Sequence, residues 1–188
     1  MRCFLGLPVP APLRQQLAQW CAAASTEAAM PEEMPAPEEQ TRWEHHGDWH
    51  LTVAFLGHTD AGTMARLASA LERICAEAAV IRQPLAAPAR FPTAAGPLLV
   101  LEGEAVSALV ALRNAVAPVC LQLGLPWEPR AFRPHVTLAR QYPSGRALPP
   151  LPEPVMLPAN ELVLYRSEPP DAAGRRYRIH ARWALGQS

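Results

Sequence analysis

Apolar and polar residues alternate along two short segments that lie about half a chain apart. The first is His50-Leu51-Thr52-Val53-Ala54 and the second is His135-Val136-Thr137-Leu138-Ala139. Because successive side chains of a strand point to opposite faces, each segment predicts a strand that buries aliphatic residues and presents one imidazole and one hydroxyl on its other face. If the two strands lie side by side or face each other across a groove, both imidazoles and both hydroxyls meet at one site.

The rest of the pattern predicts alternating helices and strands. Apolar residues at helical spacing predict helices over 11–29, 60–79 and 106–123, the last ended by Gly124. The predicted strands cover 1–10, 43–46, 49–57, 82–91, 98–102, 135–142, 161–167 and 177–185. Residues 30–40, with an acidic run from Glu32 to Glu39, predict a loop, and a Pro-rich connector is expected before residue 161.

This order of elements predicts an α+β fold. The two motif histidines are 85 residues apart, and a helix-containing segment precedes each motif strand. We therefore expect two pseudo-symmetric lobes, each with an antiparallel sheet and helices, and an active-site cleft between them. Residues 1–188 are predicted to form one domain made of these two intertwined lobes.

The amino-acid composition and net charge argue against some classes of binding partner. The chain has 188 residues, 49% of them hydrophobic, and 17 basic residues balance 17 acidic ones. Such a chain can build a core, but a net charge of zero argues against duplex DNA or an anionic membrane as a partner. The four cysteines are isolated in sequence and predict reduced, mostly buried thiols. We expect a cytoplasmic monomer with no membrane span.

The two motifs and their flanks resemble the two-histidine (2H) phosphoesterases, and among them the RNA 2′,3′-cyclic phosphodiesterases, historically described as 2′-5′ RNA ligases. The resemblance rests on Arg42-Trp43, on residues 49–57 and on residues 132–140. With the first strand and the order of elements, it covers nearly the whole chain. It implies a bilobal, metal-independent enzyme in which His50 protonates the ribose 3′-oxygen and His135 activates water, which leaves a 2′-phosphate end.

The residue types fit that chemistry on physical grounds. Hydrolysis of a cyclic phosphodiester needs one base to deprotonate water and one acid to protonate the leaving oxygen. Two histidines can supply both, because the unperturbed imidazole pKa lies near neutral pH. Thr52 and Thr137 can donate hydrogen bonds to the non-bridging phosphate oxygens. The residues alone leave open which histidine is the acid, and the roles exchange in the ligating direction.

Other side chains are candidates for substrate contact. Arg133 and Arg140 flank the second motif, and either guanidinium could neutralise phosphate charge. The resemblance favours Arg133 as a supporting contact, although a structural role is an equal alternative. Aromatic residues near the motifs could stack on a nucleobase or belong to the core; these are Phe132, Trp43, Trp49 and Tyr142.

No metal or cofactor is predicted. His45, His46 and His50 are close in sequence, but no Asp, Glu or Cys stands at a recognisable ligand spacing. The predicted strand alternation also puts His45 and His46 on opposite faces.

The preferred function is hydrolysis of RNA 2′,3′-cyclic phosphodiester ends to 2′-phosphomonoesters, with reversible 2′-5′ ligation as a further activity to consider. RNA or oligonucleotide ends, or cyclic nucleotides, are the expected partners. One alternative is a phosphodiesterase for another cyclic or 2′-5′-linked nucleotide, since the motif recognises phosphate and little else. Another is a non-catalytic module that binds RNA ends or nucleotides. The presence of both histidines and both threonines favours an enzyme.

Overall fold

Strands and helices alternate along residues 2–27, 41–128 and 130–186, which the computed structural model describes. The helices are α1 (Ala11–Glu27), α2 (Ala61–Glu77) and α3 (Ser107–Gln122). The strands are β1 (Arg2–Pro8), β2 (Arg42–Trp43), β3 (His50–His58), β4 (Ile81–Leu85), β5 (Ala87–Phe91), β6 (Leu98–Glu102), β7 (His135–Arg140), β8 (Val155–Ala159), β9 (Glu161–Ser167) and β10 (Tyr177–Ala184). None of the helices in these ranges is long and apolar enough to cross a bilayer.

The main sheet is antiparallel and consists of two halves. Its strand order is β10-β9-β1-β3-β7-β6-β5, and β2 lies beside β7. The half from β10 to β3 meets the half from β7 to β5 through one residue pair, Leu51 opposite Val136. The predicted α+β fold with two antiparallel lobes is confirmed, and the motif strands β3 and β7 form the boundary between the lobes.

The aliphatic residues of the two motifs lie in the main hydrophobic core. Leu51, Val53, Val136 and Leu138 are each at most 1% exposed. They belong to one cluster with buried residues of α1, α2 and α3. Because strand side chains alternate, the histidines and threonines of the same strands lie on the face away from this core. The four cysteines are buried, as predicted.

Three local predictions were wrong. The predicted strand 43–46 is only β2, and a short 3-10 helix, His46–Asp48, follows it. His45 and His46 therefore do not alternate, and their rings stack with centroids 4.6 Å apart. Strand β7 ends at Arg140 rather than at 142, because Gln141 adopts a left-handed conformation with φ of 53°.

The Pro-rich connector before residue 161 contains a strand that the sequence analysis missed. Strand β8 pairs with β4 in a separate two-stranded sheet, and Pro158 lies opposite Arg82. Proline is tolerated at a sheet edge, where no partner needs its missing N–H. The predicted loop 30–40 and the last two residues of the predicted first helix lie outside the described residues.

Candidate active site

The two motif strands are direct neighbours at the centre of the sheet. Leu51 pairs with Val136 in an antiparallel register. His50 and Thr52 flank Leu51, and His135 and Thr137 flank Val136, so this pair brings the polar residues of the two motifs to the same junction between the lobes.

Both imidazoles are held in the same way. His50 Nδ1 lies 2.6 Å from the carbonyl oxygen of Asp48, and His135 Nδ1 lies 2.7 Å from the carbonyl oxygen of Arg133. A carbonyl only accepts hydrogen bonds, so Nδ1 is the protonated nitrogen of each ring. In the neutral form, Nε2 of both histidines is then free to accept a proton, which is the state that a general base requires.

Aromatic rings surround His50. Its ring centroid lies 4.6 Å from that of Phe4, 5.1 Å from that of Tyr177 and 5.4 Å from that of Tyr165. Gly6 makes this packing possible, because a Cβ at that position would lie 3.2 Å from Cδ2 of His50. The sequence analysis did not identify these three aromatic residues. The alternation of Phe4 and Gly6 along β1 was the one available signal, since Tyr165 and Tyr177 lie far from both motifs in sequence.

These surroundings disfavour a charged His50. Burial, with smaller contributions from the positive charges of His135 and Arg140, lowers the His50 pKa to about 4. The hydrogen bond to the Asp48 carbonyl and the Asp48 carboxylate act in the opposite direction. In the absence of a ligand, His50 is therefore neutral at pH 7.

His135 has a smaller aromatic contact and a nearby ion pair. Its ring stacks on Phe91 with centroids 4.1 Å apart. The guanidinium of Arg133 lies over the ring of Phe91, 5.1 Å from its centroid. Nη2 of Arg133 is 2.5 Å from a carboxylate oxygen of Glu102. Burial lowers the pKa of His135, and the Arg133 charge contributes, whereas the hydrogen bond to the Arg133 carbonyl and the Glu102 carboxylate oppose this shift.

The two threonines and Arg140 complete the polar part of the site. Thr52 and Thr137 are half-buried, and neither hydroxyl has a hydrogen-bond partner among the described residues. Arg140 forms an ion pair with Glu44 and donates a 3.3 Å hydrogen bond to the Tyr177 hydroxyl. Two free hydroxyls beside two imidazoles are suited to bind the oxygens of a phosphate.

The aromatic residues proposed from the sequence all pack against other parts of the protein. Phe132 packs under the guanidinium of Arg113, and Trp43 packs against apolar residues of both sheet halves. Trp49 and Tyr142 are 5% and 3% exposed, respectively, so neither offers an open face to a base. Of the residues proposed as substrate contacts, the structure places Arg133 beside His135.

Arg113 is a further residue that the sequence analysis missed. Its guanidinium lies between the rings of Trp127 and Phe132, at 4.7 and 4.2 Å from their centroids. Its Nε also donates a 3.1 Å hydrogen bond to the carbonyl of Val53, just beyond Thr52. Arg113 thus connects the loop before His135 to the strand that carries His50.

The described residues contain no group of three or more His, Cys, Asp or Glu side chains that could hold a metal ion.

Comparison with known families agrees with this site. The family model of the 2′-5′ RNA ligase superfamily matches residues 43–168, a range that contains both motif strands. The chain belongs to this superfamily, and the resemblance inferred from the motifs is confirmed.

Individual relatives match over most of the chain. An RNA 2′,3′-cyclic phosphodiesterase of Geobacillus stearothermophilus is 30% identical over 173 residues, which cover 87% of this chain and 51% of that protein. This chain thus spans about half the length of that relative. An RNA 2′,3′-cyclic phosphodiesterase of Bacillus subtilis is 28% identical over 147 residues, covering 78% of this chain and 74% of that protein.

A solved structure shows the same fold. The crystal structure of E. coli LigT complexed with 3′-AMP superimposes with a TM-score of 0.78 at 27% identity, covering 99% of this chain and 98% of that one.

Proposed function

We propose that this chain hydrolyses 2′,3′-cyclic phosphodiester ends of RNA or oligonucleotides to 2′-phosphomonoesters, with His50 and His135 as acid and base. The observation that carries this proposal is the matched anchoring of two imidazoles, each bonded through Nδ1 to a carbonyl two residues earlier. Two unpaired threonine hydroxyls lie beside them. The activity in the names of the two bacterial relatives supports the same reaction.

The proposed reaction needs one neutral and one protonated imidazole. Nε2 of the neutral ring accepts a proton from water while the water oxygen forms a bond to phosphorus. The bond from phosphorus to the ribose 3′-oxygen breaks, and Nε2 of the protonated ring donates its proton to that oxygen. Thr52 and Thr137 donate hydrogen bonds to the non-bridging oxygens, whose negative charge grows in the transition state. The two rings exchange protonation states and are reset by solvent.

In this scheme, solvent supplies the missing proton when the substrate binds. Burial lowers the pKa of both imidazoles, so the unliganded site is short of an acid at pH 7. A phosphate anion between the rings favours the charged form of each imidazole. We therefore expect binding of the cyclic phosphate to be accompanied by proton uptake.

Two assignments of the roles remain, and each has its own support. The resemblance to 2H phosphoesterases implies that His50 is the acid. The strong lowering of the His50 pKa favours it as the base, because a ring that stays neutral can accept a proton. Hydrolysis of a phosphodiester with a p-nitrophenolate leaving group distinguishes the two role assignments, because this anion leaves without protonation. Replacement of the acid by glutamine spares hydrolysis of that ester, and replacement of the base abolishes it.

The direct test is hydrolysis of a short RNA that ends in a 2′,3′-cyclic phosphate, in the presence of EDTA. We expect a 2′-phosphate product, and a loss of several orders of magnitude in turnover in His50→Ala and His135→Ala. His58→Ala is the matched control, because His58 is exposed at the far end of β3. Full activity in either motif variant, or no hydrolysis by folded wild type, would contradict the proposal.

A further inference from the structure

A cavity of about 300 Å³ lies next to the His50 half of the site. Pro8, which pairs with His50 between β1 and β3, lines this cavity. Tyr165 lines it as well, although its ring also packs 5.4 Å from the His50 ring. Neither motif histidine lines the cavity, so it is a neighbouring space separated from the imidazoles by one aromatic ring.

Three arginines surround this cavity, namely Arg14, Arg175 and Arg182, and Glu161 is the one carboxylate among its lining residues. The side chain of Arg14 forms no hydrogen bond or ion pair with a described residue. Arg182 and Arg175 are held loosely, each 3.4 Å from a carboxylate oxygen and with 56% and 39% of the side chain exposed. The cavity therefore presents one free guanidinium and two that can turn toward a ligand.

The charges of these arginines converge on one polar group. Burial raises the pKa of Tyr165, and the negative charges of Glu161 and Asp48 raise it as well, whereas the positive charges of Arg182 and Arg14 oppose that rise. Both guanidiniums therefore act near the phenol hydroxyl, which has no hydrogen-bond partner among the described residues. A phenol O–H and several guanidinium N–H groups together form a donor-rich site that fits an oxyanion.

The cavity is also connected to His50 through Asp48. The buried Asp48 carboxylate accepts a 3.4 Å hydrogen bond from Arg175 and a 2.5 Å hydrogen bond from the backbone N–H of Arg176. The carbonyl of the same residue accepts the hydrogen bond that orients His50. A ligand on Arg175 would therefore contact a residue that is hydrogen-bonded to Asp48, whose carbonyl positions the imidazole.

We propose that this cavity is a subsite for the 5′-phosphate of the nucleotide that carries the cyclic end, bound by Arg14 with Arg175 and Arg182. This inference rests on the proposed function. The 5′-phosphate lies one ribose away from the cyclic phosphate, and Tyr165 both packs against His50 and lines the cavity. All 17 basic residues of the chain are arginines, whose planar donor fork suits phosphate. The apolar side of the cavity, with Pro8, Pro10 and Ile179, suits a sugar or base.

The test compares two substrates that differ by one phosphate group, adenosine 2′,3′-cyclic phosphate with and without a 5′-phosphate. In wild type we expect the 5′-phosphate to lower KM about tenfold, the effect of one charge-assisted hydrogen bond. Arg14→Gln should remove that advantage and leave hydrolysis of the compound without a 5′-phosphate within about twofold of wild type. Arg73→Gln is the matched control, since Arg73 is exposed on α2 and also unpartnered.

A binding measurement separates this subsite from the catalytic proposal. Calorimetry with adenosine 2′-phosphate and adenosine 2′,5′-bisphosphate needs no turnover, and we expect the bisphosphate to bind more tightly to wild type but not to Arg14→Gln. If the RNA test fails and this difference persists, the subsite stands and the proposed reaction falls. Equal binding of the two compounds to wild type overturns the subsite. The subsite is also overturned if inorganic phosphate binds to wild type but not to Arg14→Gln while the bisphosphate binds no more tightly than the monophosphate. The cavity would then bind a separate anion and not the 5′-phosphate of a nucleotide.

Discussion

The two halves of the site hold the same residues in different surroundings. His50 and His135 each follow a carbonyl acceptor two residues earlier and precede a threonine two residues later. Around His50, however, three aromatic rings pack against the imidazole, and both the Asp48 carboxylate and the Arg140 cation act on it. Around His135 there is one stacked ring, and both the Arg133 cation and the Glu102 carboxylate act on the imidazole.

This comparison shows that the position of each imidazole and its pKa are set by different residues. The local motif sets the position and tautomer of each imidazole, because the anchoring bond uses only backbone two residues away. The pKa depends on residues from other strands, since Phe4, Tyr165 and Tyr177 come from β1, β9 and β10. A pair of identical motifs can therefore supply an acid and a base from one fold.

The largest expected effect comes from filling the space that Gly6 leaves for His50. In Gly6→Ala the new methyl group would lie 3.2 Å from both His50 Cδ2 and the Leu51 carbonyl oxygen. Displacement of the ring should lower kcat/KM for the cyclic phosphate about a hundredfold. Gly145→Ala is the control, because a Cβ there meets nothing within 4 Å. An unchanged kcat/KM in the Gly6 variant would show that the aromatic enclosure does not position His50.

A smaller effect is expected on stability as the pH falls. The His50 pKa is about 4 in the folded protein and about 6.5 in an unfolded chain, so between these values the unfolded state binds more protons. The contribution of neutral His50 to the free energy of unfolding is therefore complete above about pH 6.5. It is lost as the pH falls toward 4, and the loss is about 3 kcal/mol at most.

Urea unfolding at several pH values measures this loss. His50→Gln should flatten the pH dependence of the free energy of unfolding more than His135→Gln does. The difference between the halves would be disproved if both variants flattened it equally.

The smallest expected effect concerns the His135 half alone. Since the Glu102 carboxylate raises the pKa of His135, Glu102→Gln should lower that pKa and leave the His50 pKa in place. NMR titration of the two imidazoles measures both in one sample. A shift of His50 of the same size would mean that Glu102 acts on the whole site rather than on one half.

The sequence predicts the motif strands well because their signal is local. Alternation alone separates Leu51 and Val53 from His50 and Thr52, and the structure buries the first pair and leaves the second half-buried. The Asp60 side chain caps α2 at its predicted start. Such features depend on neighbours within a few residues.

The parts that the sequence did not reveal depend on distant contacts. Tyr165 and Tyr177 reach His50 only because β9 and β10 extend the sheet beyond β1. Arg113 joins the two motif regions from a helix that carries no motif of its own. Strand β8 was hidden by Pro158, which a two-stranded sheet tolerates.

The single residue pair between β3 and β7 has a mechanical consequence. The β1–β3 ladder contains seven residue pairs, but Leu51 and Val136 are the one ladder pair between β3 and β7 in the described part of the chain. The other contacts between the lobes are made by side chains, such as Arg140 with Tyr177, and by helix α2 against α3. We therefore expect side-chain packing, more than backbone hydrogen bonds, to set the distance between the two imidazoles, so that a change of side-chain volume between α2 and α3 would alter it.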